Sequence, residues 1–513
     1  MPAAFFGRGR RRLRSAMRRG PARGFSTAHL LLLIILRRLG LSMMSKAGTE
    51  VGSGHVGHES PGARRGSERS SMFVIALAIA GLASTLSPDA RAQSFSAETQ
   101  RHLRAAMKNA GGDLALVNHY RTYSCDAVED PTMYDRSSRE RRATRVPLTQ
   151  VFDDVWYIGD MYVGQYIMKT PTGGFILIDA LNNSAEVDQY TMPALQSLGL
   201  SASQPLQAVI LTHGHFDHDG GANRLRAIFG PNLEIYLGSG DAAGKTYNPV
   251  QIPSSVAEPQ ERTIAGIKFV FQSIPGHTPG MMNLAVPVHQ SGKEYKLMMG
   301  GRQGHPTAVA SARGYLTGTE RSYALVSKYG LEGTFLTHPT SDGSTVHMQQ
   351  IEHTGSRNPN PFVIGNDRTR RAAAIWRECA AAWLATRDAT ANEPVWRVTT
   401  LAVTEPKQLT NALTAQLTTG WGRTDPDAAS GWGPVIGQPV TFSVDRSPVC
   451  TAVTNSEGVA TCTTAQKLLP FQRVTATFAG NSTAEFVNLP SSTATAVFPP
   501  GFPDWLQRDW LQR

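Results

Sequence analysis

One short stretch constrains this chain more than any other: Thr212-His213-Gly214-His215-Phe216-Asp217-His218. Four candidate metal ligands fall within six residues, directly after an apolar run, Ala208–Leu211, that reads as a buried strand. Side chains two apart in extended backbone point to the same side, so His213 and His215 can grip one cation together. Asp217 and His218 come where the chain turns toward a helix near Gly221, so they can swing to a second cation nearby. Gly220 and Gly221 are expected to give the backbone freedom for that turn. Imidazole and carboxylate suit zinc, while iron or manganese accept the same donors. A surface loop rich in histidine is the bland alternative, and the alternating spacing after an apolar strand argues against it.

The surrounding pattern is mixed. Val151–Ile158, Tyr162–Met168 and Phe175–Asp179 read as successive strands, with Gly173-Gly174 turning between the last two. Further strands are expected at Leu233–Leu237, Ile267–Ile274, Met282–Val288 and Thr334–His338, and helices at Glu186–Leu198, near Gly221 and at Glu320–Tyr329. Strands interleaved with helices predict an α/β layer architecture. Residues 93–145 read as a polar lead-in with one helical stretch near Ala97–Asn109, and the Arg/Ala-rich residues 367–388 as a closing helix. Ala389–Pro394 is a candidate linker.

Beyond Val395 the composition shifts to Thr, Val, Ala and Gly. Val440, Phe442 and Val444 alternate with polar residues, as do Val474, Ala476 and Phe478, and then Ala494, Ala496 and Phe498. Period-two runs of this kind predict an antiparallel sandwich of about 100 residues. Asn455-Ser456-Glu457-Gly458 is expected to make a hairpin turn. The chain ends in a repeated pentapeptide, Asp504–Arg508 and Asp509–Arg513, read as an exposed tail.

With 513 residues, two or three folded units are expected. The formal charge of +10 suggests a nucleic-acid partner until it is divided along the chain. Residues 1–92 hold 15 Lys/Arg against 4 Asp/Glu, leaving 35 against 36 in the remainder. The basic excess therefore belongs to the N-terminal extension, and no nucleic-acid footprint is expected in the rest. Within that extension, residues 72–83 are an apolar run of twelve, too short to span a bilayer. Arg64, Arg65 and Arg69 precede the run and Ala90-Arg91-Ala92 follows it, the pattern of a secretory signal peptide cut after Ala92. The alternatives are a retained anchor, or a later translation start at Met43, Met44 or Met72. A periplasmic or secreted location follows, with no stable membrane span after cleavage. Four cysteines in an exported chain allow two disulfides in three connectivities. Cys450 and Cys462 lie close together in one β-rich segment and are paired on that ground, which leaves Cys125 for Cys379. The expected units are 1–92 (extension and signal peptide), 93–388 (catalytic), 395–500 (β-sandwich) and 501–513 (tail).

These motifs resemble a known family. The metallo-β-lactamase superfamily carries HxHxDH at the end of a strand, and residues 213–218 match it in full. Pro275-Gly276-His277-Thr278-Pro279-Gly280 matches the place of a further metal histidine, and Thr337-His338-Pro339 the place of the last. The likeness covers roughly residues 145–355 and implies an αββα sandwich holding two zinc ions. It assigns His213, His215 and His277 to the first ion, and Asp217, His218 and His338 to the second. Many relatives add a bridging Asp, or a Cys on the second zinc, from a strand between the last two motifs. Here that stretch reads Leu297-Met298-Met299-Gly300-Gly301 and offers neither. In this the chain is similar to the subclass with one Asp and two His at the second zinc, and unlike glyoxalase II-like and lactonase-like members.

The resemblance also places Asp179 beside the site, where it could fix the tautomer of a ligand histidine; a solvated turn Asp is the alternative. It places His305, Ser311 and Tyr315 in the pocket lining, where relatives use serines to bind a β-lactam carboxylate. Ser311 is present there without a clear second serine. His55, His58 and His102 lie outside the pattern, and Cys379 is not read as a nucleophile. The C-terminal segment resembles bacterial immunoglobulin-like modules, shows no ligand cluster and has an unknown partner.

The function implied is a zinc-dependent hydrolase. Zinc lowers the pKa of bound water from roughly 15.7 to about 7, so a metal-bound hydroxide can attack a carbonyl while Asp217 orients it. The expected substrate is a small molecule with a hydrolysable carbonyl, a β-lactam amide first. The alternatives are lactone, ester or phosphoester hydrolysis on the same fold, an iron-dependent oxidoreductase, or a surface-binding protein with a vestigial metal domain.

Overall fold

A computed structural model of the chain describes residues 95–129, 144–301, 304–503 and 506–507. The basic extension, the apolar run at 72–83, the cleavage pattern and most of the pentapeptide repeat lie outside them. The described residues belong to one compact unit, Ala90–Arg513.

A seven-stranded sheet is ordered β1 (Arg145–Phe152), β2 (Val155–Asp160), β3 (Gly164–Lys169), β4 (Phe175–Ile178), β5 (Leu206–Ile210), β6 (Glu234–Gly238) and β7 (Val250–Ile252). The first four pair antiparallel, and β4 to β7 run parallel. The expected single strand over Val151–Ile158 is in fact the junction of β1 and β2, which fold back on each other at Asp153-Asp154. Two consecutive acids at the middle of an apolar run were the available turn signal.

A second sheet comprises β8 (Gln260–Ile264), β9 (Ile267–Ser273), β10 (Met282–Gln290), β11 (Lys293–Gly300) and β12 (Thr334–Leu336), ordered β12-β11-β10-β9-β8. Ile176, Ile178, Ala208 and Ile210 of the first sheet pack against Phe269, Phe271, Leu284, Val286 and Met299 of the second. Their neighbours one residue along point outward. Leu177, Val209 and Leu211 meet Val187, Leu195 and Leu225 of the covering helical segments. Val270, Ala285 and Met298 meet Tyr323 and Val326 of the helix Val309–Tyr329, and Ala373 and Ala374 of the helix Asn366–Arg387. Because both faces of each sheet are covered, β4 and β5 read as continuous apolar runs. The result is a four-layer helix–sheet–sheet–helix sandwich, the αββα arrangement that the resemblance implies.

The helix Ala97–Asn109 forms where expected, with Ser96 capping it through Thr99 N. The following residues are not a polar lead-in, however. Short helical turns run from Leu114 to Glu129 and bury Leu116, Tyr120, Cys125 and Val128 against the helix Asn366–Arg387. Cys125 is bonded to Cys379 of that helix.

The C-terminal region is all β. A three-stranded sheet, β14 (Thr399–Val403), β15 (Ala412–Thr419) and β18 (Val459–Thr463), contributes Leu401, Leu413, Ala415 and Leu417 to a shared core. A four-stranded sheet ordered β17 (Ser447–Val453), β16 (Pro439–Val444), β19 (Arg473–Phe478) and β22 (Ser491–Ala496) supplies Val440, Phe442, Val444, Val474, Ala476 and Phe478. Asn455–Gly458 does turn the chain, with Gly458 at φ +73, but the strands it joins belong to different sheets. The Cys450–Cys462 bond accordingly links edge strands of the two sheets instead of neighbours within one. Three further strands, β13 (Val395–Arg397), β20 (Asn481–Ser482) and β21 (Phe486–Asn488), form a small sheet. It lies where the sandwich meets the rest: Asn109 Nδ2 donates to Trp396 O at 2.9 Å, and Lys108 Nζ pairs with Asp425 at 2.6 Å.

Candidate metal centre

The candidate ligand side chains sit beyond the carboxyl ends of strands. His213 follows β5 by three residues, His277 lies in the loop after β9, and His338 comes two residues after β12. The six sequence-predicted residues come together. Ligand atoms of His213, His215 and His277 lie within 4.8 Å of one another, as do those of His213, Asp217 and His218. His218 Nε2 and His338 Nε2 are 3.0 Å apart, and Asp217 Oδ2 stands 3.7 and 3.6 Å from them.

Hydrogen bonds behind three of the rings settle which nitrogen faces the centre. Tyr162 O can only accept, and it lies 2.6 Å from His338 Nδ1. The Asp179 carboxylate lies 2.6 Å from His218 Nδ1. Thr212 Oγ1 donates to Asp179 at 2.9 Å, so its lone pair faces His213 Nδ1 at 3.2 Å. In each ring Nδ1 therefore carries the proton, and Nε2 presents a lone pair inward. His213 Nε2 is buried and has no hydrogen-bond partner among the described residues. Inward lone pairs, an orphaned nitrogen and a carboxylate form a donor set suited to zinc.

Electrostatics agree with a cation. Burial, then the four neighbouring imidazoles, push His213 well below its ordinary value. Burial opposes ionisation of Asp217, yet His218 and His338 hold its carboxyl below the usual range. Burial also works against a charged His218, but the Asp179 carboxylate outweighs it and raises that ring.

Asp179 is fully buried, so it is not a solvated turn residue. It adopts φ +63 immediately after β4 and also accepts from Thr212 N at 2.7 Å. Gly220 and Gly221 differ from expectation in mechanism. Both have ordinary helical backbones, with φ −59 and −87. What requires glycine is space: a β-carbon would stand 2.0 Å from Asn182 O at Gly220, and 2.2 Å from Ala180 O at Gly221.

His305 stands apart from the cluster. Its Nε2 lies 3.1 Å from Ser124 O, and its ring packs between Tyr315 and Trp383. Ser311 is half-buried on the first turn of the helix Val309–Tyr329. Tyr315 is buried, and its backbone abuts Gly276, where a β-carbon would approach within 2.3 Å.

Asp241 was not anticipated. Its carboxylate accepts from Gly214 N and Gly280 N, both at 2.8 Å, and from the Thr278 hydroxyl at 2.6 Å. It thereby ties the first histidine loop to the His277 loop. The signal was Gly238-Ser239-Gly240-Asp241, small residues and an acid closing an apolar strand at the same end of the sheet. Gly301 is equally informative, because a β-carbon there would lie 2.7 Å from Thr212 Oγ1 and 2.9 Å from His213 Nδ1.

Residues 159–287 match the family model described as the metallo-beta-lactamase superfamily, a stretch containing five of the six clustered residues, with His338 beyond it. Among solved structures, a metallo-beta-lactamase with a HARLDQ motif from Cronobacter sakazakii (Enterobacter sakazakii) is 22% identical, over 46% of this chain and 93% of its own, with a TM-score of 0.37. A subclass B3 metallo-beta-lactamase of Bradyrhizobium japonicum is 18% identical, over 46% of this chain and 94% of its own, with a TM-score of 0.37. The native metallo-beta-lactamase from Legionella gormanii is 18% identical, over 45% and 92%, with a TM-score of 0.35. The match spans the strands and loops that present His213, His215, Asp217, His218 and His277, and residues 159–287 thereby carry a metallo-beta-lactamase superfamily domain.

Proposed function

We propose that this chain is an exported, zinc-dependent hydrolase that cleaves a carbonyl compound, with the amide of a β-lactam as the first candidate. The observation that carries the reading is the set of inward-facing Nε2 lone pairs on His213, His218 and His338 around the Asp217 carboxylate. His213, His215 and His277 would hold one zinc, and Asp217, His218 and His338 a second. When bound, zinc supplies Lewis acidity and a water ionised near neutral pH. Asp217 then accepts a hydrogen bond from the attacking water and orients it toward the carbonyl carbon. Asp179, Tyr162 O and Thr212 hold three rings in one tautomer, so the donor set needs no rearrangement before reaction.

A β-lactam is favoured over a lactone or phosphoester by Gly300-Gly301, which supplies no bridging carboxylate at the end of β11. Export is supported by the two disulfides. Among the described residues no helix is long and apolar enough to cross a membrane.

The test is an assay of zinc-loaded protein, residues 93–513, against nitrocefin, carbapenems, lactones and phosphodiesters, with metal analysis in parallel. Hydrolysis of a β-lactam that is lost in His215→Ala is the expected result. Cleavage of lactones or phosphodiesters alone moves the substrate to that class, and iron with oxygen consumption overturns the hydrolase reading.

A further inference from the structure

The C-terminal sandwich has two unlike ends. One is fastened to the rest of the protein: Arg371 Nη2 donates to Thr400 Oγ1 of β14 at 2.6 Å, and Lys108 meets Asp425 in the segment after β15. The opposite end collects the β14–β15 and β16–β17 turns, the segment from β18 to β19 and the segment leaving β22. Backbone bonds knit these together. Leu468 N donates to Thr410 O at 2.8 Å, Asp445 N to Arg473 O at 2.8 Å, and Phe471 N to Val497 O at 2.6 Å.

Three large apolar residues stand exposed at this far end: Leu409 at 57%, Leu469 at 55% and Phe471 at 43%. Two of them are held against their backbone preference. Leu409 has φ +63 and Phe471 φ +65, a region where the β-carbon crowds the chain and glycine is the ordinary occupant. All non-glycine residues with positive φ between 395 and 500 lie here, the other two being Asp445 and Arg446 of the adjoining turn. Glycine at 409 would relieve strain and remove apolar surface from water, so folding alone does not account for the leucine. Charge is divided to match. Residues 395–500 hold six Lys/Arg and six Asp/Glu. Four of the cations, Lys407, Arg446, Lys467 and Arg473, are exposed at the far end, against two acids, Glu405 and Asp445. Asp445 is engaged locally, accepting from Arg473 N at 2.8 Å and Gln472 Nε2 at 3.2 Å.

We propose that the far end of the sandwich is a docking surface for an anionic phospholipid bilayer. Leu409, Leu469 and Phe471 enter the boundary between headgroups and acyl chains, and the four cations meet lipid phosphates. A bilayer suits the arrangement because the apolar side chains stand on turns at the ends of the sheets, bordered by cations from both sheets. Phe471 is backed by Phe498 and Phe502, with ring centroids 6.5 and 5.5 Å away. Just beyond Phe502 the sequence reads Asp-Trp-Leu-Gln-Arg twice, and tryptophan and arginine both favour the membrane–water interface. The attachment is peripheral, and the metal domain, joined to the opposite end, is held off the lipid.

The test is co-sedimentation of the compact unit, residues 90–513, with vesicles of phosphatidylcholine alone or mixed equally with phosphatidylglycerol. Leaving out the apolar run at 72–83 keeps that segment from binding lipid itself. Binding to the anionic vesicles is expected, at least tenfold weaker to the neutral ones and weakened severalfold by high salt. Leu409→Gly with Leu469→Ser should weaken it at least tenfold without lowering the melting temperature, since the glycine relieves a strained backbone. Lys407→Glu with Lys467→Glu should do the same. Arg423→Glu, on the segment after β15 at the fastened end, should leave it unchanged. No binding to anionic vesicles, or equal binding to neutral ones, overturns the surface. Binding unmoved by both double variants also overturns it and assigns the lipid contact to the tail. Absence of lipid binding in a protein whose solution dimer is dissociated by Leu409→Gly with Leu469→Ser gives the face to a second copy of the chain.

Discussion

The Nε2 atoms of His218 and His338 face each other across 3.0 Å although 120 residues separate them in sequence. With both Nδ1 protons engaged behind the rings, two lone pairs point at one another, an arrangement relieved only by a cation or a shared proton. Asp179 sustains half of it. On the proposed two-zinc reading, Asp179→Ala is expected to lower zinc affinity 10- to 100-fold at the site of Asp217, His218 and His338, and less at the site of His213, His215 and His277, which it reaches only through Thr212. Competition with a chromophoric chelator reads the two affinities separately, and an unchanged pair of constants would refute the role.

Asp241 makes three hydrogen bonds that join two loops. Asp241→Ala leaves two backbone amides and a hydroxyl without that acceptor, a loss of about 2–4 kcal/mol. Urea denaturation measures it. Hydrogen exchange should accelerate at the Gly214 and Gly280 amides, and protection unchanged at both would show that the carboxylate is dispensable.

Glycines at the site are required for space, so a matched pair separates space from backbone conformation. Gly220→Ala drives a methyl into Asn182 O and is expected to destabilise by about 3 kcal/mol or more. Gly355, at φ +63 in the left-handed helical region with open surroundings, should cost only about 1–2 kcal/mol on replacement by Ala. Similar losses for the two would contradict the assignment.

The sequence carried the site more fully than the scaffold. His213 to His218 announce themselves because metal ligands must share one short loop, and spacing survives translation into text. Asp241 and the Tyr162 carbonyl do not, since one contributes through three distant loops and the other through backbone alone. The strands at Val250–Ile252 and Gln260–Ile264 were missed because edge positions tolerate polar residues and blur the alternation. The turn at Asp153-Asp154 was lost inside an apolar run, and the helical turns after Asp113 were hidden by polar outward faces.

The two disulfides close loops of very different size, 254 and 12 residues in separation. On chain-entropy grounds Cys125→Ala with Cys379→Ala should remove about 5 kcal/mol, and Cys450→Ala with Cys462→Ala about 3 kcal/mol. Denaturant midpoints of the two double variants test the order, and its reversal would place the main constraint within the sandwich.

A buried pair makes stability depend on pH. Burial disfavours a charged His102, but Glu378 at 2.7 Å outweighs it and, aided by Glu98 against Arg377, raises the ring above its ordinary 6.5. Burial likewise opposes ionisation of Glu378, yet His102 and Arg377 hold it below its ordinary 4.5. A raised histidine stabilises fully below pH 6.5 and loses that contribution as pH rises through its folded value. A lowered carboxylate stabilises above pH 4.5 and loses it as pH falls through its own. The melting temperature of the protein should therefore decline as pH rises above 6.5, and His102→Gln should flatten that decline. A slope that survives the substitution would assign it to other groups.

Lys108 reaches 317 residues along the chain to Asp425 and is buried there beneath the Trp421 ring. A ribosome delivers the lysine long before its counter-ion. Until Asp425 has emerged, the helix Ala97–Asn109 carries a cation with nowhere to settle, so its docking is completed late. Maturation of this polypeptide is in that respect a clasp closed from afar, and deletion of the sandwich that carries Asp425 should loosen the helix as well.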